Sequence, residues 1–189
     1  MAPQERQRED EPSFVPSVKR ALVLAASVLA AVAAAPAQAQ ACRGADDVVT
    51  AETRAAAQTT IRCLITRERT SRGLRRLRPN ADLREAAEGF AATLVRRGEF
   101  DHVIPGVPDL GGRLRQAGYA RFAVAGENLA WAGGELATPR TIVRSWMGSP
   151  GHRANVLRRD YREVGIGVAM GTPEGGDGIT VASGFGTRR

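Results

Sequence analysis

The sequence predicts an α+β fold. Three observations carry that prediction. Apolar residues recur at three- and four-residue spacing from residue 46 onward, short β-branched runs broken by glycines close the chain, and 43% hydrophobic with 25% charged content over 189 residues gives material for one core. No internal repeat interrupts this order, so one domain is expected.

The N-terminus is set aside first. Residues 21–39 read as a secretory signal peptide: Lys19-Arg20 precedes a 15-residue apolar run, then the small-residue site Ala37-Gln38-Ala39. A bilayer span needs about 20 predominantly apolar residues, so the run is short for an uncleaved anchor, which is the competing reading. Residues 1–20 form a mixed-charge N-terminal extension. Cleavage after Ala39 leaves 150 residues starting at Gln40, and the four basic and four acidic residues lost leave the net charge of +7 unchanged. A secreted or envelope-associated monomer without a transmembrane segment is the expected product. Lys19 is the only lysine, and the arginines are spread along the chain. That spread reads as compositional bias with a secondary attraction to anionic envelope polymers, not as a nucleic-acid interface.

Residues 40–57 form an N-terminal segment tied down by cysteine. Cys42 and Cys63 are the only two cysteines, and an exported chain favours their pairing across a loop of about 20 residues, worth roughly 3 kcal/mol in the chain-entropy picture. Lipidation of Cys42 is the alternative, but Ala39-Gln40-Ala41 lacks the apolar residue expected three positions upstream.

A first helix is expected from Asp46 to Arg72, ending at Gly73. Asn80 then caps a second, whose stripe of Leu83, Ala86, Ala87, Phe90, Ala91, Leu94 and Val95 ends at Gly98. "EFDHVIPGVPD" reads as a loop, and "LGGRLRQAGY" as a short helix closed by Gly118. Residues 138 to 148 form a further helix with Ile142, Val143, Trp146 and Met147 on one face, and "RANVLRRD" adds a turn or two after a Gly-Pro turn. "EVGIGVAMG" and "GITVASGFG", joined by "TPEGGD", predict an antiparallel hairpin.

Three polar residues stand out. His102 and His152 are the only histidines, and Glu127 sits in "AGENLAW", a segment of small and apolar residues where a buried carboxylate needs a partner. Each also has an ordinary structural reading, as a solvated or hydrogen-bonded side chain. Trp131 and Trp146 read as core or cleft-wall aromatics, and Asn128 and Asn155 as backbone hydrogen-bonders. Arg153 either pairs with a carboxylate such as Glu127 or lies on the surface.

Taken in order, "FDH", "AGENLAW", "WMGSPGHRANVL", "VGIGVAMG" and "SGFG" resemble the CAP superfamily (cysteine-rich secretory proteins, antigen 5, pathogenesis-related proteins) in its bacterial SCP-like branch. The resemblance runs from about residue 58 to 186, which places a CAP/SCP-like domain at 58–189. It implies an α-β-α sandwich with a cleft lined by histidines and glutamates, which in some members hold a divalent cation such as Zn2+. The cleft residues would be His102, Glu127, Asn128, Ser149 and His152, with His102, Glu127 and His152 as metal ligands. Ser149 stands where many eukaryotic members have a second glutamate, which weakens the metal set. Gly151 is expected to let backbone approach His152 closely.

Three functions compete on these residues. The first is a non-enzymatic domain binding a small apolar ligand, a lipid or a cell-envelope component. The second is a divalent-metal-dependent hydrolase using His102, Glu127 and His152. The third, a serine hydrolase of Ser149 and His152, is weak: "GSPG" is not a G-x-S-x-G elbow, and Ser149 fits better as a helix cap. No Walker loop, dinucleotide fingerprint or C-x-x-C pair supports nucleotide or haem binding.

Overall fold

The structure is a computed structural model that describes residues 42–189; the segments expected to be a signal peptide and an N-terminal extension lie outside the described residues. Among the described residues five α-helices and four strands follow in the order α1 (Arg54–Thr70), β1 (Arg78–Pro79), α2 (Ala81–Arg97), α3 (Leu110–Gln116), β2 (Phe122–Gly133), α4 (Pro139–Gly148), α5 (Pro150–Leu157), β3 (Glu163–Met170) and β4 (Gly178–Arg188). The strands form one sheet in the order β1-β3-β4-β2. β4 pairs antiparallel with both β3 and β2, and β1 adds two parallel residues beside β3.

Side-chain alternation divides the sheet into two unlike faces. Val164, Ile166 and Val168 of β3, with Ile179, Val181 and Phe185 of β4, point toward Ile61 and Ile65 of α1 and Ile142 and Trp146 of α4. Burying one such large side chain stabilises by about 1.5–3 kcal/mol. The opposite face is Gly165, Gly167 and Ala169 on β3, with Ala182 and Gly184 on β4. α2 lies directly on it. A Cβ added at Gly165 would stand 2.0 Å from the Arg84 nitrogen, and one at Gly167 would stand 2.2 Å from the Ala87 carbonyl carbon. The glycine spacing therefore lets a helix backbone touch the sheet. Helices on both faces make the α-β-α sandwich that the resemblance implied.

Local signals set most boundaries as expected. The Asn80 side chain accepts from the Leu83 amide at 3.0 Å to start α2, and Gly98, at φ 64°, ends it in the left-handed conformation. The β3–β4 hairpin forms. Cys42 and Cys63 are joined by a disulfide that ties the segment before α1 to that helix.

Four expectations need correction. The first helix starts at Arg54, not Asp46: Val49 instead donates its amide to the Ala137 carbonyl at 2.9 Å, which holds residues 46–53 in turns beside α4. "FAVAGENLAWAG" is a 12-residue strand where the sequence predicts no regular element. Ser149 occupies the N-cap position of α5, yet its side chain makes no capping hydrogen bond. A Cβ at Gly151 would meet nothing within 4 Å, so no close backbone approach explains that glycine.

Candidate functional site

β2 forms an edge of the sheet, and its alternation sends consecutive residues to opposite layers. Glu127 faces the α2–α3 layer, while Asn128 faces α5. Opposite them on β4 stand Gly184 and Ser183.

Glu127 is the centre of the polar cluster. Its side chain is 6% exposed, and both carboxylate oxygens are occupied. Arg113 Nη2 donates to Oε2 at 2.7 Å. His102 Nδ1 lies 2.9 Å from Oε1, and since a carboxylate only accepts, the imidazole N–H is the donor. That tautomer leaves His102 Nε2 free on a ring whose side chain is 49% exposed. The hydrogen bond to Glu127 raises the His102 pKa above the ordinary histidine value, against a smaller opposing effect of burial.

Arg113 was not singled out in the sequence. It is 7% exposed, donates Nη1 to the Pro108 carbonyl at 2.9 Å, and sets its guanidinium 3.4 Å from the centre of the Phe90 ring. The signal lay in the short helix: Arg113 falls three residues after Leu110 and beside Leu114, on the apolar side of an element capped by Asp109. An arginine on the inward stripe of a helix calls for a buried acid, and Glu127 is that acid.

His152 comes from the other layer. Its ring centroid is 6.4 Å from that of His102, tilted by 50°. The His152 carbonyl accepts from Asn128 Nδ2 at 3.0 Å, and Asn155 Nδ2 donates to both the Glu127 carbonyl and Asn128 Oδ1. Nδ1 of His152 is buried without a hydrogen-bond partner. Burial, with the nearby His102 charge as a lesser cause, lowers its pKa. The structure thus brings His102, Glu127, Asn128 and His152 together. No hydrogen bond joins Ser149 to His152 among the described residues. Arg153 is exposed and pairs with no carboxylate among the described residues, and the place beside Glu127 is held by Arg113. Trp146 is wholly buried, with Nε1 donating to the Leu129 carbonyl at 3.0 Å, whereas Trp131 is half-buried.

The zinc expectation meets this geometry poorly. Zinc takes three protein ligands and a water in an open site. Here both oxygens of Glu127 are committed, one of them to a cation, and only the two imidazoles remain. Among the described residues no three His, Cys, Asp or Glu side chains converge as a ligand set. Two apolar side chains are exposed in the loop that carries His102, Phe100 at 44% and Val103 at 72%, on either side of it in the chain.

Sequence comparison agrees with this architecture. Residues 63–182 match the cysteine-rich secretory protein family (CAP). Over 100 residues the chain is 30% identical to the uncharacterized protein YkwD of Bacillus subtilis, covering 53% of this chain and 37% of that one. It is 32% identical to the uncharacterized membrane protein YlbC of the same organism, covering 53% and 28%. The match therefore spans well under half the length of these relatives. Among solved structures, an outer surface protein from Borrelia burgdorferi superposes with a TM-score of 0.62 at 20% identity, covering 72% of this chain and 96% of that chain. An extracellular protein containing a SCP domain from Bacillus anthracis gives 0.61 at 22% identity, covering 75% and 44%. These two share the fold. With the family match extending over more than half of its residues, the chain belongs to the cysteine-rich secretory protein (CAP) family.

Proposed function

We propose that the chain is an exported, non-enzymatic binding domain that takes an amphipathic ligand, a lipid or a cell-envelope component, at the His102–Glu127–His152 cluster. One observation carries the reading: Glu127 is held on both oxygens, while the half-exposed His102 leaves Nε2 free in a loop where its near neighbours in the chain, Phe100 and Val103, expose apolar side chains. Arg113 on one oxygen and the His102 N–H on the other hold the carboxylate as an anchor for the imidazole. A ligand's polar end fits the imidazoles, and its apolar part fits the exposed loop side chains. The disulfide, the leader-like residues 21–39 and the likeness to an extracellular SCP-domain protein support export to the cell surface or beyond.

The metal-dependent hydrolase reading loses its carboxylate ligand to Arg113. The test uses a neutral fluorescent monoacylglycerol with the full chain, His102→Ala and a Phe100→Glu/Val103→Glu pair. Binding by the parent that both variants lose is the expected result. No uptake by the parent, or a zinc-induced esterase activity that His152→Ala removes, overturns it.

A further inference from the structure

At the end of α5 remote from His152, the chain after α1 and the segment between α5 and β3 enclose a groove of about 630 Å³. Arg69, Arg75, Arg159 and Arg162 line it, and no carboxylate does. The acids nearest in sequence are engaged elsewhere: Glu68 pairs with Arg72, Asp160 pairs with Arg158, and Glu163 accepts from Asn80 Nδ2 and the Tyr119 hydroxyl.

Arg69 is wholly buried. Its Nε donates to the Arg75 carbonyl at 2.9 Å, and Nη1 donates to the carbonyls of Val156 at 2.7 Å and Arg158 at 3.0 Å. Nη2 is buried and has no partner. The three carbonyls account for the position of the side chain but leave its charge without a counter-ion, which is unfavourable for a buried cation. Burial and the neighbouring Arg162 both weigh against that charge. Arg162 is half-buried, and its Nη1 likewise donates to backbone carbonyls, those of Arg159 and Tyr161 at 2.6 and 3.1 Å, with no ion pair among the described residues. A second groove of about 490 Å³ shares Arg75 and Arg162 and adds Arg76, Arg78 and Arg188, with Glu163 as its acid, so the face beyond the first groove stays predominantly positive.

We propose that this groove is an oxyanion site that binds a phosphate group, free or on a lipid headgroup, between Arg75, Arg159 and Arg162 above the buried charge of Arg69. Guanidinium forks match the paired oxygens of phosphate, and four of them around one carboxylate-free hollow exceed what surface solvation requires. The site uses neither His102 nor Glu127 and stands apart from the ligand cluster.

The experiment titrates inorganic phosphate into the full chain by calorimetry at constant ionic strength, with chloride as the blank. Arg159→Gln/Arg162→Gln is compared with Arg54→Gln/Arg96→Gln, which removes the same charge from α1 and α2 outside the groove. Saturable binding that the first pair weakens by about tenfold or more, and the second changes by less than about twofold, is the expected result. Equal weakening by both pairs, or no saturable binding by the parent, overturns the site. Arginine side-chain NMR of the parent gives a readout that needs no variant: phosphate must shift the Nε–H signals of Arg69 and Arg162, and unmoved signals overturn the proposal. Phosphatidylglycerol vesicles set against phosphatidylcholine vesicles then assign the source. Sedimentation with the former that Arg159→Gln/Arg162→Gln abolishes identifies a headgroup, and phosphate binding without sedimentation identifies the free anion.

Discussion

Arg113 and Glu127 form an ion pair across 2.7 Å with side chains 7% and 6% exposed, and His102 hangs from the carboxylate's other oxygen. The pair joins α3 to the edge strand β2. Removing one member of such a pair strands the other charge in a site that water does not reach. Arg113→Met is expected to cost about 3–5 kcal/mol, read as a lower urea midpoint with an unchanged slope. Glu127→Gln in the same background should recover a large part of that loss, because no buried charge is left alone. A double variant as unstable as the sum of the singles would show that the two do not act as a pair.

The two histidines titrate in opposite directions, and the signs give a pH profile. His102 is raised by its bond to Glu127, so its stabilising effect is complete below its unfolded value of 6.5 and is lost as pH rises toward the raised value. His152 is lowered by burial, so between its lowered value and 6.5 the unfolded chain binds more protons and stability rises with pH. Together they place a local stability maximum near pH 6.5. His102→Gln should flatten the limb above that pH and His152→Gln the limb below it, in unfolding curves taken at half-unit steps. Identical profiles for the parent and both variants would mean that neither ring differs from the unfolded chain.

Two glycines separate contact from flexibility. Gly167 lies under α2, where a Cβ would press on the Ala87–Glu88 peptide, and backbone has no rotamer in which to escape. Gly167→Ala is expected to destabilise by about 3 kcal/mol or more, at the upper end for overpacking. Gly151 sits in the first turn of α5 with open space around it, so Gly151→Ala should leave stability equal or raise it by up to about 1 kcal/mol. Thermal unfolding of the two variants side by side checks the contrast, and a tolerated Gly167→Ala would mean that α2 rides higher on the sheet.

These cases show what the sequence made legible. α2 was readable because its cap, stripe and terminal glycine all agree, and the hairpin because β-branched residues flank a glycine turn. β2 was not: Ala, Gly, Glu and Asn carry little strand preference, and its conformation comes from pairing along eleven residues of β4 that lie some fifty positions later. The site divides the same way. His102 and His152 stood out by rarity and Glu127 by its apolar setting. Arg113 did not, because an arginine in a chain with 27 basic residues carries no signal until the helix face it occupies is known. Ser149 and Gly151 were read through a turn motif, and the turn's backbone uses neither as expected.

Zinc is the last case, and Arg113 decides it. A third ligand would have to be Glu127, yet Oε2 is already held by a guanidinium and Oε1 by the His102 N–H. Freeing the carboxylate would break a buried pair and leave Arg113 without its acid, a cost of several kcal/mol that metal binding would have to overcome. Two imidazoles alone make a weak site. Zinc titrated into the full chain at neutral pH is therefore expected to show no isotherm of about micromolar affinity. An isotherm of that strength that His102→Ala/His152→Ala abolishes would show that Glu127 leaves Arg113 to join the histidines. The same titration on Glu127→Gln distinguishes the routes, since a two-imidazole site survives that change and a three-ligand site does not.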